Sequence, residues 1–230
     1  MSSVSAIEIS IRVACACMLI GLPVATFFGW LLARRNFPGK TFLNMFLFLP
    51  LVLPPVVTGY LLLDFFGRAT PLGGLLEKLG LPLSFTFSGA VLAAFVVGMP
   101  LYVIIIRAAF EAVDPRWDEL SWTLGVTPRR TFFRLTLPLA LPGIAAGAVM
   151  VFARALGEFG ATAVLAGNME GRTRTISLAV YSLLETPDGM RSGRTLVLAS
   201  VGLSLLALFS YEYLLRWHRR RLEWREEGWR

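Results

Sequence analysis

Gly89-Ala90-Val91-Leu92-Ala93-Ala94-Phe95-Val96-Val97-Gly98-Met99-Pro100-Leu101-Tyr102-Val103-Ile104-Ile105-Ile106 runs for eighteen residues without a charge. Wound as an α-helix it is about 27 Å long, close to the roughly 30 Å of hydrocarbon in a bilayer. Such a segment has no polar face to turn to water, so reading it as a membrane span decides the fold class. Four further stretches qualify: 13–32, 42–66 with Asp64 as its one charge, 139–156 with Arg154 near its far end, and 196–215 with Glu212 in its last turn. These five account for the composition. Of the 230 residues, 56% are hydrophobic and 16% charged, against about 45–50% and about 25% in soluble domains.

The first stretch differs from a cleaved signal peptide. Arg12 alone precedes it, its core exceeds the usual 7–15 or so apolar residues, and Arg34 and Arg35 follow at once. It reads as a retained anchor.

The net charge is +7. On a soluble domain that excess would point to nucleic acid; here its distribution relative to the spans matters more. Loops 33–41 and 107–137 and the tail 216–230 together hold 14 Lys and Arg, and the opposite side holds seven. The positive-inside rule places the richer side in the cytoplasm. The N-terminus is then outside, the basic tail inside, and the number of spans odd. A sixth crossing within 160–185 would put the tail outside, so those residues read as an external loop with short helical pieces. The tail Arg216-Trp217-His218-Arg219-Arg220-Arg221 reads as a topology anchor with interfacial tryptophans, or as a site for anionic lipid. No nucleic-acid partner is expected.

Enzyme chemistry finds little support. The single histidine, His218, sits in the tail, and Cys15 and Cys17 lie two apart in an apolar run, on nearly opposite faces of a helix. No metal ligand set, disulfide framework or catalytic motif is legible. Gly39-Lys40-Thr41 is the nearest approach to a Walker A sequence, but Arg34 stands where its first glycine belongs. The chain reads as a non-enzyme without catalytic or metal-binding residues.

Small residues recur every fourth position at Gly21, Ala25 and Gly29, at Ala90, Ala94 and Gly98, and at Gly143 and Gly147. Such stripes let membrane helices approach closely, so a tightly packed bundle is expected. Prolines are expected to interrupt two spans, at Pro50, Pro54 and Pro55 and at Pro100. Interrupted helices mark transport pathways in many carriers; a simple kink is the other reading.

Residues 107–137 form the large loop between spans. Asp114-Pro115 offers a helix start, Trp117, Leu120, Ser121 and Leu124 share a face, and Gly125 supplies a stop. Thr127-Pro128 starts a second short helix by the same logic. Exposed Trp and Leu on a short helix call for a partner groove.

Glu119-x5-Gly125-x9-Leu135-x-Leu137-Pro138 resembles the EAA loop of ABC importer permeases, whose pattern is EAA-x3-G-x9-I-x-LP. Leu120 and Ser121 replace the two alanines, and Leu135 the isoleucine. Further stretches are similar to the molybdate permease subunits of bacterial ABC importers: Phe37-Pro38-Gly39-Lys40, 49–60, Arg154-Ala155-Leu156-Gly157-Glu158-Phe159-Gly160-Ala161, Ala166-Gly167-Asn168, and Gly171-Arg172-Thr173-x-Thr175-Ile176 with Tyr181. The likeness runs from about residue 10 to 215. Sulfate permeases share the Gly-Glu-aromatic-Gly and Gly-Asn elements, so sulfate and tungstate importers are the alternatives within the class. A passive channel or secondary carrier is the alternative outside it, and has no use for a docking helix.

The resemblance implies an all-α integral membrane protein of the bacterial inner membrane. Its residues 1–230 would form one permease domain, a five-span bundle of the type I ABC importer kind with a two-helix cytoplasmic coupling loop at 111–137. It implies pairing with a second permease copy, docking of cytoplasmic ATPase subunits that carry ATP and Mg, and delivery of an oxyanion by a periplasmic binding protein. This chain would bind no cofactor. Asp114, Trp117, Glu119, Leu120, Thr123 and Gly125 are the expected ATPase-coupling residues, with Glu119 fixing the bend or the docking. Pro54, Pro55, Arg154 and Glu158 are the pathway candidates. Arg154 and Glu158 are four apart, and read as an intrahelical pair or, for Arg154, as a transient contact for a passing dianion. Arg172 and Arg174, with Glu170, read as a contact for the binding protein or as a solvated loop.

Overall fold

The computed structural model describes residues 3–186 and 189–227. Helix α1 (Ser3–Arg34) is followed by α2 (Lys40–Val52), α3 (Pro55–Phe66), the short α4 (Pro71–Lys78) and α5 (Phe87–Glu111). Then come α6 (Arg116–Thr123) and a long helix built from α7 (Pro128–Thr131), a π turn (Phe132–Thr136) and α8 (Leu137–Leu156). Short helices α9 (Gly160–Leu165) and α10 (Ile176–Leu184) precede α11 (Gly189–Glu227). Residues 228–230 and the side chains of 217–227 and of Arg191 lie outside the described residues. So does the reading of the tail's tryptophans and arginines as an anchor.

The core is a three-helix contact of α1, α5 and α8. Val13, Leu32, Tyr102, Ile106, Phe110 and Val151 are fully buried there. Tyr102 keeps its hydroxyl satisfied by donating to the Met18 carbonyl at 3.3 Å. The small-residue stripes make this packing possible. A methyl at Gly29 would stand 2.7 Å from Ile106 Cγ2, and one at Gly143 would stand 2.5 Å from Ala109 Cβ. Neither distance leaves room for a side chain, so α5 is held between its two neighbours at backbone range.

Among the described residues, four helices are long and apolar enough to cross a membrane, and α2 with α3 makes a fifth candidate bent by 114°. Contacts show that the chain does cross there. Arg34, at the end of α1, lies beside the 113–118 loop. Phe85, just before α5, bonds Leu165 beyond the opposite end of α8. The segment between them therefore passes from one end of the bundle to the other.

The expected span 42–66 is thus a sharply broken pair. The cause is local. Leu53 and Pro54 each precede a proline, and that position is pushed out of the helical region. Both adopt extended backbone, with ψ of 141° and 134°. Pro100 does not interrupt its span. It sits buried inside an unbroken α5, because Met99 before it stays helical. The second helix of the large loop is also no separate element. It is the first turn of the helix that runs continuously from Pro128 to Leu156. The pieces expected within 160–185 are present as α9 and α10.

Candidate functional site

Two groups of candidate residues sit at opposite ends of the long helix Pro128–Leu156. Thr136 and Arg154 are about 27 Å apart along it at 1.5 Å per residue.

At one end stands α6. Asp114 Oδ1 accepts the Arg116 N–H at 2.9 Å and starts the helix. Gly125 ends it at φ +76°. The Gly125 N–H donates to the Trp122 carbonyl and the Val126 N–H to that of Ser121, both at 3.0 Å. This is a Schellman stop, and it requires a left-handed residue that glycine supplies without strain. Trp117, Leu120 and Trp122 are each at least half exposed and Leu124 is 82% exposed, so the short helix presents apolar surface with nothing of this chain against it. Ser121 and Thr123 turn their hydroxyls back onto the carbonyls of Trp117 and Leu120.

Glu119 is exposed, and its side chain makes no hydrogen bond or ion pair among the described residues. Glu119 is expected to fix the bend or the docking; within this chain the ties of α6 to its neighbours run through Asp118. Its Oδ1 accepts the Thr136 hydroxyl at 2.6 Å, and its Oδ2 lies 3.9 Å from Arg34 Nη1. Arg34 Nη2 in turn donates to the Val113 carbonyl at 2.6 Å. One carboxylate thereby ties α6 to the end of α1, to the segment after α5, and to the π turn. The tie joins residues 84 and 18 positions from Asp118, which no local pattern reveals.

The π turn coincides with the Leu135-x-Leu137-Pro138 end of the motif. The Leu137 N–H donates to the carbonyl of Phe132, five residues back. The next residue, Pro138, has no N–H with which to resume the ladder at once. Phe132 packs edge-on to Trp30 and stacks on Phe110, with centroids 5.3 and 6.2 Å away. The turn is thereby anchored on α1 and α5.

At the other end, Arg154 Nη1 donates to Glu158 Oε2 at 3.0 Å. The pair is not intrahelical, because α8 stops at Leu156 and Glu158 lies in the turn to α9. The Glu158 side chain is 3% exposed, and its Oε1 accepts the Ala161 N–H at the start of α9. Glu158 thus joins the two helices while Arg154, 36% exposed, covers its charge.

The break in α2–α3 rests on this same turn. A methyl at Gly160 would lie 3.0 Å from Pro55 Cβ, and one at Gly59 would lie 2.8 Å from the Ala161 backbone. Pro54, Pro55, Arg154 and Glu158 therefore belong to one structural cluster. Two buried hydroxyls there, of Thr58 and Thr162, have no hydrogen-bond partner among the described residues.

The loop 167–175 is ordered by its own side chains. Thr173 accepts the Met169 N–H at 3.0 Å, and Thr175 caps α10. Arg174 donates to Asn168 Oδ1 at 2.8 Å and lies 3.6 Å from Glu170. Arg172 is exposed with no partner among the described residues.

A family model described as "Binding-protein-dependent transport system inner membrane component" matches residues 25–224. The chain belongs to this family. Within it, the chain is 46% identical over 217 residues to the molybdenum transport system permease protein ModB of Escherichia coli strain K12, covering 94% of this chain and 95% of that one. It is 47% identical over 212 residues to the ModB protein of Haemophilus influenzae, covering 92% and 93%. The fold of this inner membrane component is also that of the permease in the inward-facing MetNI methionine ABC transporter. The TM-score is 0.73 at 17% identity, over 94% of this chain and 95% of that one. The chain is accordingly a multi-pass inner membrane permease with the type I ABC importer fold.

Proposed function

We propose that this chain is the membrane permease of an ATP-driven molybdate importer. The observation that carries the coupling is α6: a short helix with exposed Trp117, Leu120 and Leu124, capped at Asp114 and Gly125, and tied to three other elements through Asp118. Such a helix is built to be pushed from outside and to pass the push on. The choice of molybdate rests on the 46% identity to the E. coli molybdenum permease across nearly the whole of both chains.

In this reading the 230 residues form one permease domain that pairs with a second copy. Each α6 docks a cytoplasmic ATPase, with Trp117, Glu119, Leu120 and Thr123 at the contact and Asp114 and Gly125 setting the helix ends. ATP and Mg are held by that ATPase, and this chain holds no cofactor. The N-terminus is external and the tail cytoplasmic, as the charge bias requires. A periplasmic binding protein delivers the oxyanion to the end bearing α9, α10 and Arg172. Closure of the ATPases moves α6 as a rigid body, and the bundle switches between inward- and outward-open states. The cluster of Pro54, Pro55, Arg154 and Glu158 borders the pathway.

Reconstitution tests this directly. The permease, its ATPase and its binding protein are placed in vesicles, and uptake of molybdate, tungstate and sulfate is measured with and without ATP. Uptake of molybdate that requires ATP and binding protein is the expected result. Uptake without ATP overturns the importer reading, and preference for sulfate overturns the assignment of the anion.

A further inference from the structure

A groove of about 720 Å³ runs between α1 and the Pro128–Leu156 helix. Its lining runs from Leu22 to Trp30 on α1 and on to Arg35 just past the helix end, about 20 Å at roughly 1.5 Å per residue, somewhat more than half the thickness of a bilayer's hydrocarbon. Its walls are apolar side chains of two membrane-crossing helices, with Phe27 54% and Phe133 57% exposed. The groove changes character only at the end beside α6. There Arg35 and Arg129 enter the lining, and neither has an acidic partner among the described residues. Arg35 is held at the mouth, its guanidinium 5.7 Å above the Trp30 ring that forms part of the same wall.

An elongated apolar slot closed at one end by two uncompensated guanidiniums matches one class of molecule. An acyl chain fits the slot, and a phosphodiester fits the arginines, each of which offers a fork of donors to phosphate oxygens. Basic pockets between membrane helices favour anionic headgroups. A zwitterionic lipid would fill the slot equally well but would leave the arginines only partly neutralised. We propose that this groove is a binding site for an anionic phospholipid of the leaflet on the α6 side, its headgroup on Arg35 and Arg129 and its chain against Trp30 and Phe133. The site lies beside the π turn, since Phe132 and Phe133 of that turn line it. A lipid seated there would brace the helix to which α6 is tied.

Trp30 supplies the readout. The full chain is reconstituted in phosphatidylcholine bilayers containing a fixed fraction of either phosphatidylglycerol or phosphatidylcholine brominated on its acyl chains. Bromine quenches tryptophan on contact, and the Trp30 component is the difference between the native chain and Trp30→Phe. Brominated phosphatidylglycerol should quench that component several-fold more than brominated phosphatidylcholine. The preference should vanish in Arg35→Gln/Arg129→Gln and persist in Arg35→Lys/Arg129→Lys, which keeps the charge. Equal quenching by the two lipids in the native chain overturns the proposal in favour of ordinary lipid contact. Absence of quenching by both overturns it in favour of a groove covered by protein, such as a second copy of this chain.

Discussion

Thr136 donates its hydroxyl to Asp118 at 2.6 Å, and this bond joins α6 to the π turn near the start of the Pro128–Leu156 helix. Asp118 and Arg34 have side chains 16% and 11% exposed, so their ion pair is shielded from most of the screening that weakens surface pairs. Asp118→Ala leaves the Thr136 hydroxyl without its acceptor and Arg34 without its counter-charge, and should cost about 1–3 kcal/mol of stability. Asp118→Asn, which keeps an acceptor for Thr136, should cost less. In reconstituted transporter the alanine variant should hydrolyse ATP while importing less anion per ATP. A variant with native unfolding temperature and native uptake per ATP would show that the tie is inert.

Gly125 has φ +76° and open space where a side chain would point. Substitution there therefore meets backbone strain alone, about 1–2 kcal/mol for an ordinary residue in the left-handed region. Gly125→Asn should be milder than Gly125→Val. Gly125→Arg should reach the membrane at normal level but co-purify with less ATPase. Quantitative pull-down of the ATPase against permease abundance checks this, and normal recovery with normal uptake would count against the docking role.

Arg154 is the principal charge covering a nearly buried carboxylate. Arg154→Gln should lower stability by about 1–3 kcal/mol, because Glu158 then keeps an uncompensated charge. Arg154→Gln/Glu158→Gln should recover part of that loss, as removal of both charges costs less than stranding one. Thermal unfolding of these two variants and of Glu158→Gln measures the coupling. Transport separates the two roles: if the double variant is stable and imports normally, Arg154 has no contact with the passing anion.

Helices α3 and α9 touch at backbone range, with a methyl at Gly59 only 2.8 Å from the Ala161 Cα and carbonyl oxygen. Gly59→Ala must push the helices apart, and overpacking of this kind costs about 1–3 kcal/mol. Gly74→Ala in α4, where the nearest atom would be 3.6 Å away, should be silent. Uptake and unfolding temperature should fall together in the first and stay native in the second.

The two loop arginines should part company. Arg174 is held by Asn168 and Glu170, so Arg174→Ala should loosen the loop and raise its susceptibility to protease. Arg172→Ala should leave the loop intact and weaken only the response of transport to the binding protein. Titration of uptake against binding-protein concentration distinguishes them.

Much of the architecture was legible in the sequence because hydrophobic length and glycine spacing are local signals. The stretch 89–106 is helix, the Gly29 and Gly143 stripes are contacts, and Gly125 ends its helix as its position after Leu124 suggests. The failures share a cause. Whether Pro54-Pro55 bends the chain by 114° while Pro100 leaves α5 intact depends on what the residue before each proline can do in its surroundings. Asp118 carries no local signal of its role, because its partners Arg34 and Thr136 are distant in the chain. Glu158 was recognisable as Arg154's partner, but its position beyond the helix end rests on where α8 stops at Leu156.

The break at Leu53 and Pro54 has an effect on the membrane itself. Helices α2 and α3 together hold 25 residues and, straight, would reach about 38 Å; folded at 114° their ends stand only about 20 Å apart. Their exposed apolar surface is thus shorter than the acyl layer it meets, a case of hydrophobic mismatch. Whatever lies against that flank, lipid or a neighbouring chain, must conform to its short reach.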